Sequence, residues 1–332
     1  MNASRNHLWV WLGFAASFAA LALLPVLAPD WLGRAGLLRG IEIAYILTLA
    51  QLWNLLAGYA GLMSIGQQLF VGLGGYTLYV AAIRFGVPVL WALPLSGLVA
   101  LILALPSAAL LFRLRGAQFA IGSWVLAESV MLLVSRSESL GGASGLSLPA
   151  SIVRAMAANA DERITLIWWM ALLLAFGTTA LVIFWLRSRQ GLALTALRDN
   201  ESAAAGLGVN TRRVKLAVYL FVAGMTGLVG GLIFLNKLRM SPSAAFSLGD
   251  WTASVIFIVI IGGIGSIEGP ILGAAVYFIL RGLFAEYGAW YQLLLGAIAI
   301  SVMLWSPQGV WGLIHRRWGW SIWPTGRRLG SF

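Results

Sequence analysis

Long apolar runs separated by short polar breaks dominate this chain. A helix needs about 20 mostly apolar residues to cross the hydrocarbon core of a bilayer. Runs of that kind fall at about residues 8–28, 41–60, 62–83, 89–112, 117–135, 165–187, 215–236, 251–266, 269–285 and 289–306. The pattern predicts an all-α fold: a polytopic transmembrane helix bundle of about 10 hydrophobic segments, forming a single domain over residues 1–332. The first run follows little more than Arg5 and His7, and its apolar core is longer than that of a signal peptide, so it reads as a retained anchor.

Two runs carry too much glycine and too many polar side chains for plain spans. "AGLMSIGQQLFVGLGGYTLYVAA" (60–82) combines five glycines with Ser64, Gln67, Gln68 and Thr77, and "GGIGSIEGPILG" (262–273) adds Glu268 and a proline. Irregular backbone is tolerated at membrane depth only where protein buries it or where it lines a watery cavity. One or two of the ten segments are therefore expected to be broken or re-entrant. Ser64-Ile65-Gly66 is faintly echoed by Ser266-Ile267-Glu268, and glycine-interrupted segments in corresponding positions mark substrate pathways in transporters. On helical spacing, Ser64 and Gln68 share a face and Gln67 is turned about 100° away. A third glycine-rich stretch, "GMTGLVGG" (224–231), reads simply as close helix packing.

Polar segments set the orientation. Residues 136–164 and 188–214 are the two long breaks, and arginine and lysine crowd the second: Arg187, Arg189, Arg198, Arg212, Arg213 and Lys215. The positive-inside bias places 188–214 and both chain ends in the cytoplasm (N-in/C-in) and 136–164 outside. Within 192–207, Ala, Leu and Glu predict a helix stopped by Gly206 and Gly208. It is either a solvated linker or a docking helix with Leu194, Leu197 and Leu207 as its apolar surface. Glu128 is the one acid well inside a span. A charge there costs roughly 2.5–3.5 kcal/mol on insertion scales, so it should face protein or water. It is tied to a neighbouring helix, near enough the outer surface to be hydrated, or part of a proton relay. Glu42 and Glu268 read as interfacial.

Composition narrows the chemistry. The chain is 60% hydrophobic and 10% charged, with a mean hydropathy of +0.89, whereas a soluble domain has about 25% charged residues. Lipid is the solvent. The net charge of +11 borders apolar spans, which points to anionic head groups and topology and not to nucleic acid. There is no cysteine, and the two histidines, His7 and His315, stand at opposite ends. That removes thiolate chemistry and an intramembrane histidine site, including a base for the rhomboid-like "GASG" at 142–145. No Gly-x-x-x-x-Gly-Lys-[Ser/Thr] occurs, so any ATP that drives this protein is hydrolysed by another polypeptide.

Seven stretches in order carry a family likeness: "GYAGLMSIGQQLFVGLGGY" (58–76), "LRGAQFAIGSWVLAE" (114–128), "GGASGL" (141–146), "RSRQGLALTALRDNESAAAGLGVN" (187–210), "SPSAAFS" (241–247), "IGGIGSIEGPILGA" (261–274) and "WSPQGVWGL" (305–313). The chain resembles the LivM-type permease subunit of bacterial ATP-binding-cassette importers for branched-chain amino acids. The resemblance implies a multi-pass protein of the bacterial inner membrane that pairs with a second, homologous permease. It also implies two ATP-binding-cassette ATPase subunits, which hold ATP-Mg so that this chain needs no cofactor, and a periplasmic substrate-binding protein. Residues 188–214 would be the cytoplasmic coupling loop, with Leu194, Leu197, Arg198, Asp199, Asn200 and Glu201 as its contact residues. Residues 136–164 would be periplasmic. Ser64, Gln67, Gln68, Gln118 and Glu128 are the candidate substrate-pathway residues. The chain departs from the family where Gln67 replaces histidine, Gln68 a small residue, Gln118 tyrosine, Gln308 arginine and Leu192 arginine, which leaves branched-chain amino acids, urea, short amides and aromatic acids all open as cargo. The competing class is a stand-alone ion-coupled transporter or channel built around Glu128, which would need paired intramembrane acids.

Overall fold

The computed structural model describes residues 2–27, 29–306, 308–319 and 323. The chain is helical nearly throughout. Its helices are α1 (Asn2–Leu27), α2 (Pro29–Asn54), α3 (Gln67–Arg84), α4 (Val89–Leu111), α5 (Ala117–Arg136), α6 (Ala150–Met156), α7 (Ala160–Arg187), α8 (Arg189–Asp199), α9 (Glu201–Gly206), α10 (Thr211–Lys237), α11 (Pro242–Ala245), α12 (Ser254–Gly262), α13 (Glu268–Phe284), α14 (Ala289–Trp305) and α15 (Gly309–Trp318). Two π-helical turns interrupt the regular pattern, Leu55–Tyr59 after α2 and Leu248–Ala253 before α12. α2 is kinked at Gly33, whose φ of 54° favours glycine.

Eight helical stretches among the described residues are long and apolar enough to cross a membrane. Each of the ten expected segments contains a helix, and the two whose helices fall outside those eight are α3 and α13. Each follows one of the glycine-rich breaks. α3 compensates for its polar content by burial, since Gln67, Gln68, Tyr76 and Tyr79 all lie inside the protein.

Glycine sets the closest helix contacts. A methyl group on Gly74 of α3 would strike the carbonyl oxygen of Gly227 on α10, and one on Gly230 would strike the carbonyl of Val71. On the other side of α10, a carbon on Gly97 of α4 would come within 2.9 Å of the Gly224 oxygen. Residues 224–231 therefore do pack two neighbours backbone to backbone. α12 and α13 approach in the same way, Gly262 against Gly269 and Gly273 against Ile258. Such contacts gain dispersion energy where lipid offers no hydrophobic driving force.

The two ends of the bundle are distinct. At one end, a short antiparallel pair of strands, β1 (Leu146–Ser147) and β2 (Arg239–Met240), ties the 136–164 segment to the end of α10. The Arg84 guanidinium donates to the Ser139 carbonyl there, and Arg34 lies 4.0 Å from Asp161. At the opposite end Arg198 of α8 lies against Gly61 and Gly265 in the breaks that precede α3 and α13.

Two expectations need correction. The helix expected over 192–207 is two helices, because Asn200 leaves the helical region and its side chain accepts from the Ala203 N–H to start α9. Ser64 does not share a helix face with Gln68, because the chain is unwound from residue 61 to residue 66 and α3 begins at Gln67. Glu268, expected near an interface, is buried within the protein at 6% exposure and accepts from the Trp323 N–H at 2.7 Å.

Candidate functional site

The last two turns of α2 clamp both breaks. Gln51 Nε2 donates to the Ile267 carbonyl at 2.8 Å. Asn54 uses both ends of its amide: Nδ2 donates to the Ser266 carbonyl at 2.7 Å, and Oδ1 accepts from the Gly265 N–H at 2.8 Å. Trp53 Nε1 donates to the Ser64 carbonyl at 2.8 Å, and Gln67 Nε2 reaches back to the Leu49 carbonyl at 3.0 Å. Unwound backbone that protein buries needs such partners. Two broken segments some 200 residues apart are thus held by one short stretch of one helix.

The first break continues into α3 and α5. The Ser64 hydroxyl accepts from the Gly66 N–H at 3.1 Å, and the Ile65 N–H donates to Ser123 Oγ of α5 at 2.9 Å. Gln68 is fully buried; its backbone N–H donates to Thr252 Oγ1 at 3.1 Å, while the Thr252 hydroxyl donates to its Oε1. Three buried amide atoms have no partner among the described residues: Gln51 Oε1, Gln67 Oε1 and Gln68 Nε2. A void of about 10 Å3 borders Ser64 and Gln67, at the lower limit for one water molecule.

α5 has two unlike faces. Phe119, Ser123, Ala127 and Val134 turn into the bundle. Gln118, Ile121, Val125, Glu128 and Leu132 recur at spacings of three and four residues and face outward, Glu128 half-exposed and the rest exposed. The Trp124 indole donates to the Glu128 carboxylate at 3.2 Å from within the same helix. Met63, 58% exposed, lies on the break that Ser123 ties to this helix. The candidate pathway residues therefore form two groups. Ser64, Gln67 and Gln68 are interior, Gln118 and Glu128 are on an open face, and Ser123 joins the two.

α8 reaches the same hub from the other direction. Leu194 and Leu197 turn inward and are buried against the chain's own helices, so they tie the 188–214 segment to the bundle. Arg198 Nη1 donates to the Gly58 carbonyl at 3.0 Å, in the π-helical turn that ends α2, and its Nε pairs with Asp199 at 3.0 Å. Gly58 itself packs against the backbone of Gly265. Glu201 meets Lys215 at 2.6 Å. Leu192 and Leu207, 45% and 85% exposed, are the leucines this segment shows to its surroundings.

Gln51, Asn54, Ser123 and Thr252 were not singled out from the sequence, yet they hold the breaks in place. One signal was present: two amides three residues apart, Gln51 and Asn54, inside an otherwise apolar run.

Interrupted helices clamped to one another and joined to a polar loop at one end are a build found in the membrane subunits of transporters. The chain belongs to the family described as the permease component of the branched-chain amino acid transport system, which it matches over residues 36–303. It is 28% identical over 314 residues to the high-affinity branched-chain amino acid transport system permease protein LivM of Escherichia coli K12, covering 88% of this chain and 73% of that protein. The LivM protein of Salmonella typhimurium LT2 is 28% identical over 279 residues, 77% of this chain and 65% of the relative. The permease protein LivH of Escherichia coli K12 is 32% identical over 148 residues, 43% of this chain and 46% of that one. No solved structure matches the chain.

Proposed function

We propose that this chain is one of two paired permeases in a bacterial inner-membrane importer for branched-chain amino acids or related small amides, driven by separate ATP-binding-cassette ATPases and fed by a periplasmic binding protein. The observation that carries this reading is the outward stripe on α5. Glu128 is the twelfth residue of a 20-residue helix, which places it near the middle of the span. Bare lipid is a costly neighbour for a carboxylate at that depth. A second, related permease covers the stripe, and the seam between the two is the passage, with Gln118, Glu128 and the exposed backbone around Met63 on this chain's side. The interior amides Gln67 and Gln68 hold the wall in shape.

Drive enters through 188–214. Partner ATPases rest on Leu192, Leu207 and the polar contacts of Asp199 and Glu201. Arg198 carries their movement to Gly58, and through the packing of Gly58 on Gly265 it reaches both breaks at once. The inward Leu194 and Leu197 make the segment move with the helices. Transport is then a shift between two packed states biased by ATP. The alternative, an ion-coupled carrier using Glu128, asks for a cluster of acids. The family match favours the importer.

The complex reconstituted with its ATPases and binding protein should take up leucine, isoleucine or valine only with ATP. Arg198→Ala should lower that uptake about tenfold, the expected cost of one lost charge-assisted hydrogen bond, while the subunits still co-purify. Uptake driven by an ion gradient without ATP would overturn the reading. Full uptake by Arg198→Ala would remove the coupling route.

A further inference from the structure

A cavity of about 550 Å3 lies apart from this site, between α2, α10, α13 and α14 and the π-helical turn before α12. It is at the end of the bundle that carries residues 136–164, as its wall residue Lys237 stands two positions before β2. Four charges line it: Glu42, Lys237, Asp250 and Arg281. Arg281 Nη1 already pairs with Glu42 at 2.7 Å. Lys237 and Asp250 are exposed and have no ion-pair partner among the described residues. The Lys237 ammonium sits 4.8 Å from the centre of the Trp251 ring. Deeper in, Ile46, Ile256, Ile260 and Leu295 make the wall apolar.

Tyr291 is shared with a second depression, an apolar groove of about 470 Å3 formed largely by α14. Its residues Trp290, Leu293, Leu294 and Ala297 follow the helix for about 10 Å. They lead away from the charged end toward the middle of the span.

We propose that cavity and groove together bind one zwitterionic phospholipid. Its phosphate sits at Lys237, beside the Arg281–Glu42 pair, its ammonium sits at Asp250, and an acyl chain lies along α14. The two cations and two anions sum to zero, which suits a dipolar head group better than an anionic one. A polar mouth continuing into an apolar groove fits an amphiphile, whereas a free amino acid fills neither the groove nor most of the cavity. This inference does not depend on which solute the permease carries.

Native mass spectrometry of the full-length chain, released from detergent in the presence of phosphatidylethanolamine, phosphatidylglycerol or leucine, tests it. One tightly retained phosphatidylethanolamine is expected, kept over phosphatidylglycerol and not displaced by millimolar leucine. The double variant Lys237→Gln/Asp250→Asn changes only exposed side chains and should lose about tenfold in retention, as should Ala297→Trp, which fills the groove. Equal retention of both lipids, undiminished binding in both variants, or displacement by leucine would each overturn the proposal.

Discussion

Asn54→Leu is expected to abolish transport and to destabilise the chain by about 3 kcal/mol, since two backbone groups lose their partners at once. The amide is 0% exposed and bonds the Gly265 N–H and the Ser266 carbonyl. Leucine fills comparable space but offers neither donor nor acceptor. Water cannot replace the amide at a fully buried position, so the break before α13 would have to rewind or slide. Either movement shifts Gly265 away from Gly58 and detaches the second break from Arg198. Asn54→Asp keeps the acceptor for Gly265 but buries an unpaired carboxylate against the Ser266 carbonyl, so it should be at least as damaging as leucine. Thermal unfolding in detergent and ATP-driven uptake, measured on the same preparations, check both effects. Wild-type uptake by the leucine variant would mean that the clamp is dispensable.

Gly74→Val should yield almost no folded protein. A Cβ at this position runs into the Gly227 carbonyl of α10, which is helix backbone and cannot rotate aside as a side chain could. Overpacking a tight interior costs about 1–3 kcal/mol and occasionally more. Here the clash is at the centre of the α3–α10 contact, where Gly230 already touches Val71, so the helices cannot separate locally. Gly177→Val on α7 is the matched control, because nothing lies within 4 Å of a carbon placed there. Size-exclusion profiles of solubilised membranes should show a monodisperse peak for the control and aggregate or loss for Gly74→Val.

Much of this architecture was legible in the sequence, and the exceptions have a common cause. Hydropathy runs located every long helix because a spanning segment must be apolar whatever it packs against. Glycine together with polar side chains marked 60–82 and 262–273 as irregular, and both hold a break, at 61–66 and 263–267. The sequence did not reveal that α2 holds the two together, since Asn54 and Ser266 are brought into contact only by the fold. Spacing misplaced Ser64 because periodicity assumes a helix that the backbone abandons before Gln67. The 188–214 segment was visible as a charged, helix-prone stretch. Its division at Asn200 follows from a local competition in which an asparagine that can cap a new helix ends the old one. Leu194 and Leu197 could equally have faced a partner or the bundle, and only the positions of α7 and α10 decide for the bundle.

The claim at the centre of this account is that the α5 stripe is one wall of a passage closed by a second permease. The chain has no cysteine, so a single Val125→Cys can carry a maleimide photocrosslinker in membranes containing the assembled complex. Leu173→Cys on α7, 63% exposed, serves as the comparison. An adduct to the second permease is expected from Val125→Cys and only lipid adducts from Leu173→Cys. Lipid adducts alone from both positions would contradict it.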